Sequence, residues 1–361
     1  VLLIICRLKA KDDHASRYAF VPIPENLPRF IAVQSNVGDC FVRIEDVVRR
    51  QLAELFPGES VSASAPFRIT RNSDIEVQEE DAVDLAGEME DVLAARRVGT
   101  TIRVQISNGT PRDLLRLVQE VTVSGPAELY RVKGPIALAD FMQLSQLSDY
   151  EELVNPPWPP QPSPLIDPGT PMFELISARD ILLFHPYESF DPVIRLIEEA
   201  AVDRNVLAIK QVLYRTASDS RIIKALLRAA ENGIQVTVLM ELKARFDEAR
   251  NLDRAEHLQR AGVQIVYGVR DLKTHAKVTL VARNEDGRLK RYVHLGTGNY
   301  NETTAQFYTD ASYLTCRPEF VSDASLFFNA VTGRSKLLRL QKICPAPTHM
   351  KIGRASCRER V

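Results

Sequence analysis

Eight of the chain's 21 prolines fall between residues 155 and 171, in the run NPPWPPQPSPLIDPGTP. Proline has no N–H to give a helix interior or a central strand, and it pushes the residue before it toward extended backbone. The stretch 155–171 is therefore read as an extended connector, within a proline-rich linker at 151–178. It divides the 361 residues into 1–150 and 179–350, each of ordinary domain size. A ligand for a proline-recognising partner is the rival reading of the same run.

Before the linker the pattern is mixed. Val1–Cys6 is apolar but far too short to cross a membrane, and it reads as a buried strand. Further strands are expected at Tyr18–Ile23, Arg29–Gln34, Pro66–Arg71, Thr101–Ser107 and Glu128–Val132. Ile44, Val47, Val48, Leu52 and Leu55 recur at helical spacing, which predicts a helix over 44–56. Asp81–Arg97 reads as an acidic helix, and Pro111 opens another. The run 76–84 (EVQEEDAVD) lacks the ligand spacing of a calcium loop and reads as a solvated helix start. No nucleophile or metal pattern stands out here.

From Asp180 onward strand and helix alternate. Ile181–Phe184, Val206–Leu213, Ile234–Met240 and Val263–Tyr267 are apolar, and between them lie helical patterns beginning at Asp191, Arg221 and Asn251. Strands separated by helices imply a mostly parallel sheet between helical layers, with ligands beyond the carboxyl ends of the strands. Arg215 and Arg245 both fall just after strands.

The stretch 272–301, LKTHAKVTLVARNEDGRLKRYVHLGTGNYN, carries the chemistry. His275 and Lys277 are two apart, so on a strand they share a face. Asn284–Gly287 (NEDG) reads as a hairpin turn and Arg291–Leu295 as the returning strand, which brings Gly296–Asn299 back beside Lys277. An imidazole, a cation and an asparagine then meet near a glycine-rich loop with open N–H groups, a set that suits a phosphate. A satisfied core histidine is the bland rival.

Taken with RDILLFHPY (179–187), AIK (208–210), YRT (214–216), Asp219-Ser220, ELKARFDE (241–248) and YTD (308–310), this stretch resembles the polyphosphate kinase family, a branch of the phospholipase D superfamily. The resemblance runs from about residue 18 to about residue 350. The aspartate of the general superfamily pattern, five residues after the lysine, is Ala282 here, which fits the kinase branch and argues against a lipase. The fold it implies is an α+β head domain at 1–150 followed by a phospholipase D-like α/β sandwich half-domain at 179–350. The activity it implies is reversible transfer of the terminal phosphate of ATP to inorganic polyphosphate through a phosphohistidine.

The resemblance also implies roles. His275 would be the nucleophile, Lys277 would neutralise phosphate oxygens, and Asn299 would donate to phosphate or orient the imidazole. Thr297 and Tyr308 would contact ATP, Tyr308 by stacking on adenine, and Asp310 would hold a catalytic group in place. Arg215 and Arg245 would serve the phosphate and Mg²⁺ site. A guanidinium has no lone pair for a cation, so they are read as phosphate clamps beside a phosphate-bound Mg²⁺. Their rival reading is salt bridging to Asp219, Asp247 or Glu248, and that of Tyr308 is a core aromatic. His294 and His185 read as structural. Mg²⁺ is the implied cofactor and ATP a substrate. The assembly implied is a homo-oligomer, dimer or tetramer, with no nucleic-acid partner. Two alternatives remain: a phospholipase D-like phosphodiesterase, and a non-catalytic polyanion-binding module.

Composition adds bounds. A net charge of −1 supplies no global field for a polyanion, so such binding needs a local basic cluster. The five cysteines are scattered without a CxxC pair, which favours a reducing, cytoplasmic setting, with a peripheral seat at the inner membrane left open. The last ten residues, 352–361 (IGRASCRERV), read as adapter-derived sequence, with an acidic-partner tail as the rival. Against the family, the chain reads as a fragment without the N-terminal helical domain and the second catalytic half, and weak or inactive as written.

Overall fold

The computed structural model describes residues 1–10, 16–36, 38–72, 85–97, 99–217, 219–242, 247–269, 272–333 and 340–347. The acidic run at 76–84, Arg245 and the 352–361 tail lie outside the described residues. The chain divides into two compact units, Val1–Glu76 with Val92–Pro156, and Val77–Asp91 with Pro157–Val361.

The elements leading to the linker are β1 (Leu2–Ala10), β2 (Ser16–Pro22), β3 (Phe30–Val33), β4 (Cys40–Arg43), α1 (Ile44–Arg50), α2 (Leu52–Leu55), β5 (Glu59–Arg71), α3 (Leu85–Arg97), β6 (Thr101–Ser107), α4 (Arg112–Thr122) and β7 (Leu129–Val132). The helix expected over 44–56 is broken at Gln51, whose φ −99 and ψ 7 leave the helical region. Both pieces still bury an apolar residue, Ile44 and Leu52, so the periodicity outlives the break.

Among the described residues, five strands of the first unit form one sheet in the order β2-β1-β5-β6-β7. β1 is apolar on both faces because both are covered. Ile5 joins Phe67, Val104, Ile106, Leu114 and Val118 on the α4 side. Its neighbours Ile4, Cys6 and Leu8 join Ile44 and Leu52 on the α1–α2 side. A buried ion pair locks the same unit: the Arg29 guanidinium donates to both Glu45 oxygens (2.9 and 2.6 Å) and to the carbonyl of Ile136 (2.9 Å).

The second unit holds α5 (Met172–Ala178), β8 (Ile181–His185), α6 (Asp191–Val202), β9 (Val206–Leu213), α7 (Arg221–Glu231), β10 (Gln235–Met240), α8 (Glu248–Arg260), β11 (Gln264–Tyr267), β12 (Lys277–Glu285), β13 (Arg288–Gly296), β14 (Asp310–Thr315) and α9 (Pro318–Val331). Among the described residues these strands form one sheet, β11-β10-β9-β12-β13-β14-β8. Val212, Leu239, Val278, Leu280 and Val293 pack under Val321, Ala324 and Phe328 of α9. The alternate β9 residues Ile209, Gln211 and Leu213 are buried as well, so both faces of the strand are covered.

The α/β class holds, but the expectation of a mostly parallel sheet does not. Among the described residues of this sheet, the only parallel pairings are β9–β10 and β10–β11, with α7 and α8 as their crossovers. Between β11 and β12 no crossover helix occurs among the described residues, and β12 runs against β9. The next pairings, β12–β13, β13–β14 and β14–β8, are antiparallel too. The β12–β13 turn is the sequence's NEDG. Asp286 (φ 50) and Gly287 (φ 78) are both left-handed, as a two-residue hairpin connection requires.

Candidate active site

β9 and β10 end at the rim of the sheet where β12 begins, β13 ends and β14 begins, because β12 and β14 run against β9 while β13 runs with it. Tyr214, Arg215, Glu241, Lys277, Gly296–Asn299 and Asp310 are carried to that rim by the strand register alone. Lys277 pairs with Gly296 across the hairpin, and Gly296 with Ser312 of β14.

His275 is not a strand residue, contrary to the alternation argument. β12 starts at Lys277, because the N–H of Thr274 donates to the buried Glu241 carboxylate (2.5 Å) rather than to a ladder. The imidazole is exposed on this loop and stands edge-on to the Tyr214 ring, centroids 5.6 Å apart at 74°. Partial burial, then the fields of Lys277 and Lys273, hold its pKa below the ordinary 6.5. At neutral pH it is an uncharged base, the form in which histidine is a nucleophile.

Lys277 is buried, and its Nζ donates to the carbonyl oxygen of His275 (2.6 Å). Burial pushes its pKa down to about 8, against the opposing pull of Asp310.

The glycine loop is fixed from behind. Thr297 N–H donates to Ala311 O (3.0 Å), and Thr297 Oγ1 donates to Asp310 Oδ1 (2.8 Å) while accepting from Ala311 N–H (2.9 Å). A Cβ on Gly298 would lie 2.5 Å from Asp310 Oδ2, so glycine is required there by close approach. Beneath the loop, Thr279 Oγ1 donates to Tyr300 Oη (2.7 Å), which meets His294 Nδ1 (2.7 Å). His294 is fully enclosed and its pKa is driven to about 3, so it is a neutral packing group. His185 is buried likewise, with Nε2 2.9 Å from Ser312 Oγ. Asn299 presents a buried Oδ1 that has no hydrogen-bond partner among the described residues.

Arg215 follows β9 as expected and pairs with Asp247 (3.4 Å), one of the carboxylates named as its rival partners. Tyr308 is 62% exposed, so the core-aromatic reading does not describe it. An apolar cavity of about 780 Å³ adjoins the His275 loop, lined by Lys273 and His275 together with Leu272, Val278, Phe327 and Val331.

Sequence reasoning gave no role to the residues that brace this rim. Asn251 of α8 is buried and donates to the carbonyls of Tyr214 (2.8 Å) and Glu241 (3.0 Å), tying the ends of β9 and β10 together. Arg254, one turn on, donates to Thr216 O (3.3 Å) and to Ala217 O. Glu302 accepts from Ser220 Oγ (3.0 Å) and Arg221 N–H (2.8 Å), joining the loop after Asn299 to the N-terminus of α7. The spacing of Ser220 before the helix is a readable cap signal; Asn251 and Glu302 have no local signal.

No group of three or more His, Cys, Asp or Glu that could hold a metal occurs among the described residues. The rim's carboxylates, Glu241 and Asp310, are taken up by Thr274 N–H and Thr297 Oγ1, and the other groups are cationic or amide, a set that does not fit a Mg²⁺ held by the protein. No described helix is long and apolar enough to cross a membrane.

Comparison with known proteins gives a consistent family. Residues 1–144 match the polyphosphate kinase middle domain and residues 171–337 match polyphosphate kinase C-terminal domain 1. A polyphosphate kinase of Rhodopirellula baltica is 50% identical over 317 residues, 87% of this chain and 37% of that protein. One of Exiguobacterium sibiricum is 43% identical over 354 residues, 97% of this chain and 49% of that protein. The crystal structure of polyphosphate kinase from Porphyromonas gingivalis superposes with a TM-score of 0.76 at 29% identity, covering 99% of this chain and 52% of that one. The chain spans between 37% and 52% of the length of these relatives.

Proposed function

Because this chain belongs to the polyphosphate kinase family, we propose that it is part of an ATP:polyphosphate phosphotransferase that works through a phosphohistidine at His275. In this reading residues 1–150 are the head domain, 151–178 the linker and 179–350 the first catalytic domain of a longer cytoplasmic protein that assembles as a homo-oligomer. The observation that carries the assignment is the junction of His275 and Lys277: an exposed neutral imidazole on a residue whose backbone carbonyl accepts from the ammonium of a buried lysine.

The neutral ring nitrogen attacks the terminal phosphorus of ATP. The P–N bond forms as the P–O bond to the β-phosphate breaks, and ADP leaves. In the second half-reaction a terminal oxygen of polyphosphate attacks the same phosphorus, the P–N bond breaks and the imidazole is restored. Lys277 meets the charge that grows on the equatorial oxygens. Arg215, with Arg245, clamps phosphate oxygens, Thr297 lines the loop on which they rest, and exposed Tyr308 stacks on the base. Asn299 is assigned to the imidazole, because its unpaired buried oxygen suits a ring N–H better than an anionic oxygen. Mg²⁺ would arrive on the phosphates rather than on a protein site.

ATP labelled on the terminal phosphate tests this. Label should appear on the chain in an alkali-stable, acid-labile form, map to His275 and vanish in His275→Ala. Label at another residue, or label that survives His275→Ala, would overturn the assignment. The phosphodiesterase alternative predicts turnover of a phosphodiester through the same histidine. Position 282, which carries the superfamily's aspartate, is Ala282 on β12, opposite Ala208 and Arg291, and supplies no carboxylate for it.

A further inference from the structure

Four groups of the site surround one aromatic ring. The Nζ of Lys277 lies 5.4 Å from the Tyr214 centroid, the Cζ of Arg215 5.6 Å and the Nζ of Lys273 5.8 Å, and the His275 ring meets it edge-on at 5.6 Å. None of the roles assigned above uses Tyr214 or Lys273.

Three like charges gathered this closely repel one another; Arg215 is paired with Asp247, and the two lysines must be held in another way. A carboxylate would hold them only by cancelling the charge that a phosphate needs. An aromatic face attracts a cation through its quadrupole and leaves the full charge in place. Among the described residues no carboxylate stands within ion-pair distance of Lys273 or Lys277. The backbone of Tyr214 is itself pinned by Asn251, so the ring is a fixed platform rather than a mobile surface aromatic.

The two lysines differ in access. Lys277 is buried at the start of β12, whereas Lys273 is exposed two residues before His275 on the same loop. One can reach only a phosphate already seated at His275, and the other meets a group farther out.

We propose that Tyr214 is a positioning residue that holds Lys277 and Lys273 beside His275 with their charges uncancelled. We further propose that Lys273 is a binding residue for the phosphate next to the reacting one, so that the site selects linked phosphates over a single phosphate. The inference rests on the reading of His275 as the phosphoryl acceptor.

The test is calorimetric titration of the 361-residue chain with tripolyphosphate and with orthophosphate over a series of salt concentrations, alongside His275 labelling by ATP. A polyanion contact releases counterions, so each lost contact lowers the slope of log K against log salt by about one. Lys273→Ala should lower the tripolyphosphate slope by about one and its affinity about tenfold, leaving orthophosphate binding unchanged. Tyr214→Phe should bind as the parent does, and Tyr214→Leu should lose about tenfold. A parental slope in Lys273→Ala overturns the role of Lys273, and parental affinity in Tyr214→Leu overturns that of Tyr214. Should Tyr214→Leu not melt cooperatively, Tyr214→Met takes its place with the same criterion. A parent chain that binds tripolyphosphate and labels at His275, with variants indistinguishable from it, sinks this inference alone. A parent that does neither sinks the reading of the site with it.

Discussion

The ammonium of Lys277 donates to the carbonyl oxygen of His275 at 2.6 Å, so the cation and the nucleophile are joined through the backbone before any phosphate arrives. The same pair sets a pH window. Burial brings Lys277 down to about 8, and its charge fades as pH rises through that value. His275 lies below 6.5, so its neutral form persists into more acidic solution than a free imidazole allows.

Tripolyphosphate affinity should therefore fall above pH 8, and the acid limb of His275 labelling should lie below pH 6.5. Stability should move the other way. Between about 8 and 10.5 the unfolded chain binds more protons at Lys277 than the folded chain, so this group's contribution to stability rises with pH over that interval. Lys277→Arg, charged throughout, should keep tripolyphosphate affinity flat between pH 7 and 10. A basic limb unchanged in that variant would show that another group sets it.

Gly298 and Asp310 make a second prediction. An alanine methyl at position 298 would fall 2.5 Å from Asp310 Oδ2 and 2.6 Å from its Cγ, so one of the two must move. Gly298→Ala should destabilise the second unit by about 1–3 kcal/mol and disturb the Thr297–Asp310 hydrogen bond that fixes the loop. Removing the obstacle with Asp310→Ala in the same chain should recover most of the stability but not the labelling. Additive losses in thermal melts of the two single variants and the double would mean that the residues do not compete for space.

The rim was legible in the sequence to the extent that it is local. The NEDG turn, the period-two strands and the glycines around Thr297 each carry their own signal, and together they return the loop to Lys277. The strand directions were less legible. Helices between β9, β10 and β11 announce parallel neighbours, but nothing local says that β12 will run back along β9 or that β8 will pair with β14 at the far edge. The braces were not legible at all. Asn251 reads as one polar residue on a charged helix, and its two acceptors stand 37 and 10 residues away. Tyr214 stands in the sequence only as part of the YRT match, and its place among the cations shows only in the fold. The α9 helix did carry a signal, since Val321, Ala324 and Phe328 repeat at three and four after Pro318, yet no expectation covered it.

In the first unit, the Arg29–Glu45 pair predicts an asymmetry. Both partners are buried, and removing one leaves the other charged without its bidentate partner. Glu45→Leu should cost about 3–5 kcal/mol, whereas Arg29→Met with Glu45→Leu should recover much of it. Urea unfolding followed by a probe confined to the first unit would measure this. A double variant as unstable as the single would show that the remaining Arg29 bonds, to Asp140 and to the Ile136 carbonyl, matter more than the pair.

Asn251 allows folding and function to be separated at the site itself. Its amide satisfies two buried carbonyls, those of Tyr214 and Glu241, and Asn251→Ala strands both, at a cost of about 2–4 kcal/mol. The consequence for the site follows from what those carbonyls belong to. Tyr214 carries the ring beside His275, and Glu241 holds the Thr274 N–H that keeps His275 off the β12 ladder. Loosening both should lower the rate of His275 labelling at saturating ATP more than it raises the ATP concentration needed, because the nucleophile is misplaced while the phosphate clamps remain. Asn251→Asp keeps the size but offers acceptors to two carbonyls, so it should be no better than alanine. If Asn251→Ala melts earlier but labels at the parental rate below its melting point, the brace serves stability only.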